Sequence, residues 1–450
     1  MTQTQLIPLI IAAVSLLYLA AVKLKLPPQL ILIAGGVLLG LVPALANFEL
    51  DPFIVFNLLA PPLLYGAAVT ASIQVLRFNL VSAVVPVLVQ FALTVIALAL
   101  LCGWLIPGLN GTAAILLGVI GAAGGDVFRA ARQPMRTPRR VEEYLEVENL
   151  VTPAFLVTLL VLALQATLNP NFGLSDAFAE VGLDLGLSIV LGVALGFGLV
   201  WLRRQIAFAP VIEIAVGFGT SYLFNFIASL IGISSLPMVI AGGFAVAVAY
   251  FRRPASNRGV SSLYRIEANG FWLVINLLLG GITLFLIGLG LPGAFRKVQA
   301  SYGWEVLLYA LAILVVVQLI RFGIVYITFR WLSKPAIKSA KTRAEALVVT
   351  WSGARSFFAV LMVLVLPQTT PAGQPFILRD LFVVLICLTT LLSLTVQGLT
   401  LPRLVHWSGL EGSPDLAQQE QLVRHELALA ALQILQEYPS QPIRQKKAGR

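Results

Sequence analysis

Apolar stretches long enough to cross a bilayer recur along almost the whole chain, and this feature leaves very few folds open. They can be read at 6–22, 29–46, 53–70, 79–105, 112–131, 147–168, 183–202, 208–232, 236–251, 271–291, 305–329, 346–366 and 378–402. A bilayer core takes about 20 apolar residues per helix. In lipid every backbone polar group must be satisfied internally, so only helices and closed barrels span it. A barrel would show weak alternation over about ten residues rather than continuous runs. Of 450 residues, 59% are apolar and 11% charged, against roughly 25% charged in soluble domains. The pattern predicts an all-α polytopic membrane protein of about thirteen transmembrane helices.

The net charge of +10 would suit nucleic acid in a soluble protein, but its placement argues otherwise. With the N-terminus outside and an odd number of spans, odd-numbered loops and the C-terminus face the cytoplasm. On the opposite side lie only Arg296, Lys297 and Arg379, with Arg321 and Arg355 inside spans; every other lysine and arginine falls on the cytoplasmic side. This is the positive-inside asymmetry. It predicts a multi-pass protein of the cytoplasmic membrane with a cytoplasmic C-terminus and no nucleic-acid partner. The N-terminal MTQTQLIPLI lacks a basic n-region, so the first span is expected to remain. Cys102 and Cys387 lie inside apolar spans and the two histidines, His406 and His425, at or beyond the last one, which supports neither a disulfide framework nor a metal site.

Residues 1–407 read as one membrane domain and 408–450 as a short cytoplasmic tail. Within the tail, 411–438 reads as an amphipathic helix with Pro414 and Asp415 in its first turn. Two spans are interrupted alike. The fifth carries Ala122, Ala123, Gly124, Gly125 and Asp126; the twelfth carries Trp351, Ser352, Gly353, Ala354 and Arg355. Glycine loosens a helix interior, and a charge at mid-membrane costs roughly 2.5–3.5 kcal/mol on insertion scales. Seven spans apart, these segments cross in opposite directions. That predicts an inverted repeat of spans 1–6 and 8–13, with broken helices crossing at Gly124, Gly125, Ser352 and Gly353. Matching interruptions in two halves point to a transport site; glycines that merely permit close helix packing are the alternative.

Few ionisable groups fall inside the spans. Arg355 needs a partner, and Glu148, at the start of the sixth span, is the expected one; such a pair orients helices without carrying substrate. Arg321 is expected near the inner interface or in a local pair. Asp126 has two readings. In a hydrated cavity a lone carboxylate can hold a proton or a cation; alternatively it caps the half-helix that follows or pairs with Arg129.

Five stretches resemble the monovalent cation:proton antiporter-1 family, the sodium/proton exchangers. They are LLAPPLLYGAAV (58–69), RTPRRVEEYLEVENLVTPAF (136–155), FWLVINLLLGGITLFLIGLGLP (271–292), WSGARSFFAVL (351–361) and LTVQGLTLPRLVHWSGL (394–410), in the family's order. The resemblance implies a thirteen-helix inverted-repeat fold, elevator-like motion and a homodimer that exchanges monovalent cations for protons. The usual ion site is altered. Gly66 stands where a glutamate is common, Gly124 and Gly125 where Asp-Pro is usual, and Thr152 and Pro153 in place of an Asn-Asp pair. Asn149 replaces a serine, and Leu273 and Gly280 replace Glu and Asn. The Glu148 and Arg355 pair persists. Asp126, Thr152 and Asn149 are therefore the candidates for ion translocation.

The leading expectation is a sodium- or potassium-linked proton antiporter with a relocated carboxylate and no cofactor. The alternatives are a carrier of the same architecture for an anion or neutral solute, and a non-transporting sensor or scaffold. No paired catalytic residues, metal-ligand cluster or nucleotide loop suggests an enzyme.

Overall fold

The computed structural model describes residues 3–24, 26–42, 52–71, 80–124, 137–169, 182–205, 210–251, 262–332, 340–353, 357–369, 376 and 378–410, with scattered helical positions between 422 and 433. Among these the architecture is all-helical. The helices are α1 (Gln3–Leu24), α2 (Pro28–Gly40), α3 (Ala60–Val69), α4 (Val85–Leu105), α5 (Gly111–Gly121), α6 (Arg139–Leu168) and α7 (Gly182–Gln205). They continue as α8 (Pro210–Ile231), α9 (Ser235–Phe251), α10 (Ser262–Tyr302), α11 (Glu305–Leu332), α12 (Ala340–Ser352), α13 (Phe357–Leu364) and α14 (Leu378–Trp407). Seven of the described helices are long and apolar enough to cross a membrane, and five shorter apolar ones accompany them. With the apolar composition, this makes the chain a multi-pass membrane protein.

Local chemistry sets several boundaries. Pro28 opens α2, where a missing N–H costs nothing. The Asn110 side chain accepts a hydrogen bond from the Ala113 N–H at 2.9 Å and caps α5. Gly232, at φ +78°, ends α8 in the left-handed region, and its N–H and that of Ile233 both reach the Ala228 carbonyl at 3.0 Å. Helix α10 outruns the apolar stretch expected at 271–291, with 41 residues spanning about 60 Å at 1.5 Å each. Its ends carry Glu267 and Lys297, which belong outside hydrocarbon.

Helix contacts in lipid gain little from the hydrophobic effect and depend on close approach. A Cβ on Gly36 would lie 2.2 Å from the Phe285 carbonyl oxygen, and one on Gly288 would lie 2.4 Å from that of Ile33. The α2 and α10 backbones therefore touch through glycine on both sides. Gly192 and Gly196 of α7 seat in the same manner against Met238 and Gly242 of α9. Helix α14 runs through the centre, with 72% of its apolar window buried, whereas α4, α7 and α11 bury only 28% and face outward.

Candidate functional site

Helix α5 stops at Gly121, well short of the 112–131 expected from hydropathy, and Ala122–Gly124 leave the helical path. Helix α12 stops at Ser352, and α13 resumes the direction of the chain at Phe357. The twelfth span is interrupted as expected, and the fifth leaves the helical path at Ala122, with 125–136 outside the described residues. They also meet. A Cβ on Gly124 would lie 3.3 Å from Arg321 Nη1 and 3.5 Å from Glu148 Oε1; one on Gly353 would lie 1.8 Å from Arg321 Cζ. One guanidinium thus touches both breaks, and at Gly353 it fills the space any side chain would need.

Arg321 comes from α11 and Glu148 from α6. The guanidinium donates from Nη1 to Oε1 at 2.5 Å and from Nη2 to Oε2 at 2.6 Å. Nη2 also donates to the Val349 carbonyl at 3.2 Å, near the end of α12. Gln90 of α4 donates to Glu148 Oε1 at 3.0 Å, and the Tyr144 hydroxyl donates to Gln90 Oε1 at 3.1 Å. Glu148 and Arg321 are 1% and 2% exposed, so the network has almost no water to lean on. Buried charges of this kind persist only when paired and hydrogen-bonded.

This placement corrects one expectation directly. Arg321 is neither interfacial nor locally paired; it is buried and bonds a residue 173 positions away. Both Glu148 oxygens are thereby engaged, whereas the partner expected for Glu148, Arg355, lies outside the described residues, as do Gly125 and Asp126. Gln90 and Tyr144 were not singled out from sequence. Gln90 is nonetheless the one amide within 80–105, and a lone amide in an apolar run is a signal that could have found it.

The neighbouring turn of α6 has a different character. Thr152 is buried and Asn149 half-buried. Asn149 and Pro153 line a small space of about 10 Å³ with Leu64, Ala67, Ala68, Ile240 and Phe244. That volume is at the lower limit for one water. Close by on α3, a Cβ on Gly66 would sit 2.6 Å from Trp272 Cε3 and 3.2 Å from Asn276 Oδ1. An indole thus occupies the space beside the position where the family resemblance would place a glutamate. Trp272 packs on Tyr65 and Phe271, with ring centroids 5.5 and 5.4 Å apart. Asn276 Oδ1 is buried with no hydrogen-bond partner among the described residues.

The half-helix α12 is held from behind, since Trp351 Nε1 donates to Thr400 Oγ1 of α14 at 2.7 Å. Ser352, its last residue, is fully buried, and its hydroxyl has no partner among the described residues. Helices α5 and α12 both present C-terminal ends to the crossing. The Val349 carbonyl near the end of α12 accepts from Arg321, which seats its positive charge at the negative end of that helix dipole.

Interrupted helices that meet around buried polar groups inside an all-helical membrane bundle define the secondary-transporter class. The profile of the sodium/hydrogen exchanger transmembrane region matches residues 9–407, and the chain belongs to that family. An uncharacterised sodium/hydrogen exchanger of Mycobacterium tuberculosis is 29% identical over 92% of this chain and 76% of its own length. A sodium, potassium, lithium and rubidium/proton antiporter of Bacillus pumilus is 25% identical over 91% of this chain and 62% of its own. The sodium proton antiporter MjNhaP1 from Methanocaldococcus jannaschii shares the fold, with a TM-score of 0.67 at 20% identity over 89% of this chain and 97% of that structure.

Proposed function

We propose that the chain exchanges a monovalent cation for a proton across the cytoplasmic membrane. The observation that carries this reading is the meeting of both helix breaks on the Glu148–Arg321 pair. Family membership agrees with it. The relatives named above are cation/proton antiporters, which favours this reading over an anion carrier.

Glu148 is locked by Arg321 and Gln90, which makes it scaffold rather than cargo carrier. The titrating group we assign is Asp126, two residues beyond Gly124, which itself touches the pair. Thr152 and Asn149 add neutral oxygen ligands from the next turn of α6. Helix packing also favours the inverted-repeat reading. Helix α2 packs on α10 and α3 on α9, and these two pairs exchange under a shift of seven spans. The outside N-terminus and cytoplasmic C-terminus rest on the distribution of basic residues, the division at residue 407 on composition, and the homodimer on the family resemblance.

The test is cation-dependent dissipation of a proton gradient in everted vesicles, using sodium, potassium and lithium. Asp126→Asn should abolish the flux while leaving the amount of folded protein in the membrane unchanged. Undiminished flux in that variant would remove Asp126 from the mechanism, and wild-type silence toward all three cations would remove antiport.

A further inference from the structure

Away from the crossing, the ends of α11, α12 and α14 enclose an open cavity of about 660 Å³. Its rim carries Arg330, Lys341 and Arg343, and among the described residues no acidic side chain lines it. Glu345, on the same helix as Lys341 and Arg343, is engaged by Arg140 at 3.9 Å. Arg330 and Arg343 both lie against the Tyr326 phenol, and the buried Thr342 is part of the lining. Leu347, Leu404 and the largely exposed Trp407 form the rest of the wall.

We propose that this cavity binds a phosphate group, with an anionic phospholipid headgroup as the favoured source. Three cations converging on a space of ligand size, without a carboxylate among its described lining, leave a charge that only an anion can satisfy. Arginine pairs forked onto phosphate oxygens are the geometry such groups select. Trp407 and the two leucines sit where the first acyl carbons would run, and an exposed tryptophan beside arginines at a helix end marks the bilayer interface. A free phosphoester offers the same headgroup chemistry but nothing for the apolar wall.

The full-length protein in neutral detergent is titrated with phosphatidylglycerol, phosphatidylcholine and inorganic phosphate, with bound adducts counted by native mass spectrometry. Phosphatidylglycerol is expected to bind in preference to phosphatidylcholine. The double variant Arg330→Gln/Arg343→Gln is expected to weaken it roughly 10–30-fold, and Lys341→Gln alone by less. Arg296→Gln, near the opposite end of α11, serves as the control and should leave binding unchanged. If the double variant does not fold, Lys341→Gln and Trp407→Ala carry the same comparison. Saturable inorganic phosphate binding lost in the variants, with no preference for phosphatidylglycerol, would assign the site to a soluble phosphoester. Equal adduct counts in wild type and variants for every ligand would overturn the proposal.

Discussion

Two adjacent turns of α6 face opposite environments. At Glu148 the helix looks onto a guanidinium, an amide and a phenol that together satisfy a buried charge. Beside that residue, at Asn149 and Pro153, the helix looks onto a small space walled by leucine, alanine, isoleucine and phenylalanine. The charged turn ties together α4, α6, α11 and both helix breaks; the neighbouring turn sets Asn149 beside apolar packing, and the Trp272 cluster fills the space beside Gly66. The Glu148–Arg321 network and the packing around Gly66 are thus separable parts of one region.

The largest test of that division is Glu148→Gln, which strands Arg321 in a dry interior. Breaking a buried pair from one side costs about 3–5 kcal/mol, so the variant should lose its thermal transition in detergent or fail to accumulate. The double variant Glu148→Gln/Arg321→Gln should recover part of that loss; no recovery would mean the two charges act independently. Next comes Gly353→Ala, whose methyl would overlap the guanidinium. Overpacking of this kind costs about 1–3 kcal/mol, and transport should fall with it; normal melting and normal flux would show that α12 can slide away from Arg321.

On the apolar side, Gly66→Ala should destabilise by about 1–3 kcal/mol, because the new methyl meets the indole at 2.6 Å. Trp272→Leu in the same chain should relieve most of the cost, and a double-variant melting cycle reads the coupling directly. The smallest effect is expected from Gln90→Leu. It removes hydrogen bonds to Glu148 and from Tyr144, but Arg321 still engages both Glu148 oxygens, so only the Tyr144 hydroxyl is left short, at the lower end of about 1–3 kcal/mol. A larger loss for Gln90→Leu than for Glu148→Gln would invert the ranking and with it the account of the network.

Much of the architecture could be read from residue order. The broken fifth and twelfth spans were visible as glycines beside charge, because lipid penalises both and a chain keeps them together only where the helix is interrupted. The importance of Glu148 was visible for a similar reason, since an acid at the start of an apolar span must be compensated. Its observed partner was not. Arg321 and Arg355 are both arginines inside spans, and nothing local distinguishes them. Arg321 reaches Glu148 of α6 because α4 packs against both α11 and α6, joining segments 173 residues apart.

The loss at Gly66 shows the same boundary. The missing side chain was evident from the sequence motif, but that Trp272 of α10 fills the space depends on how α3, α8 and α10 seat against one another. Sequence alone determined the solvent, the helical class and where the helices break, because hydrocarbon acts on each residue independently. Tertiary structure alone decided which charge meets which and what fills each gap, because those outcomes depend on distances between helices that no single stretch of chain encodes.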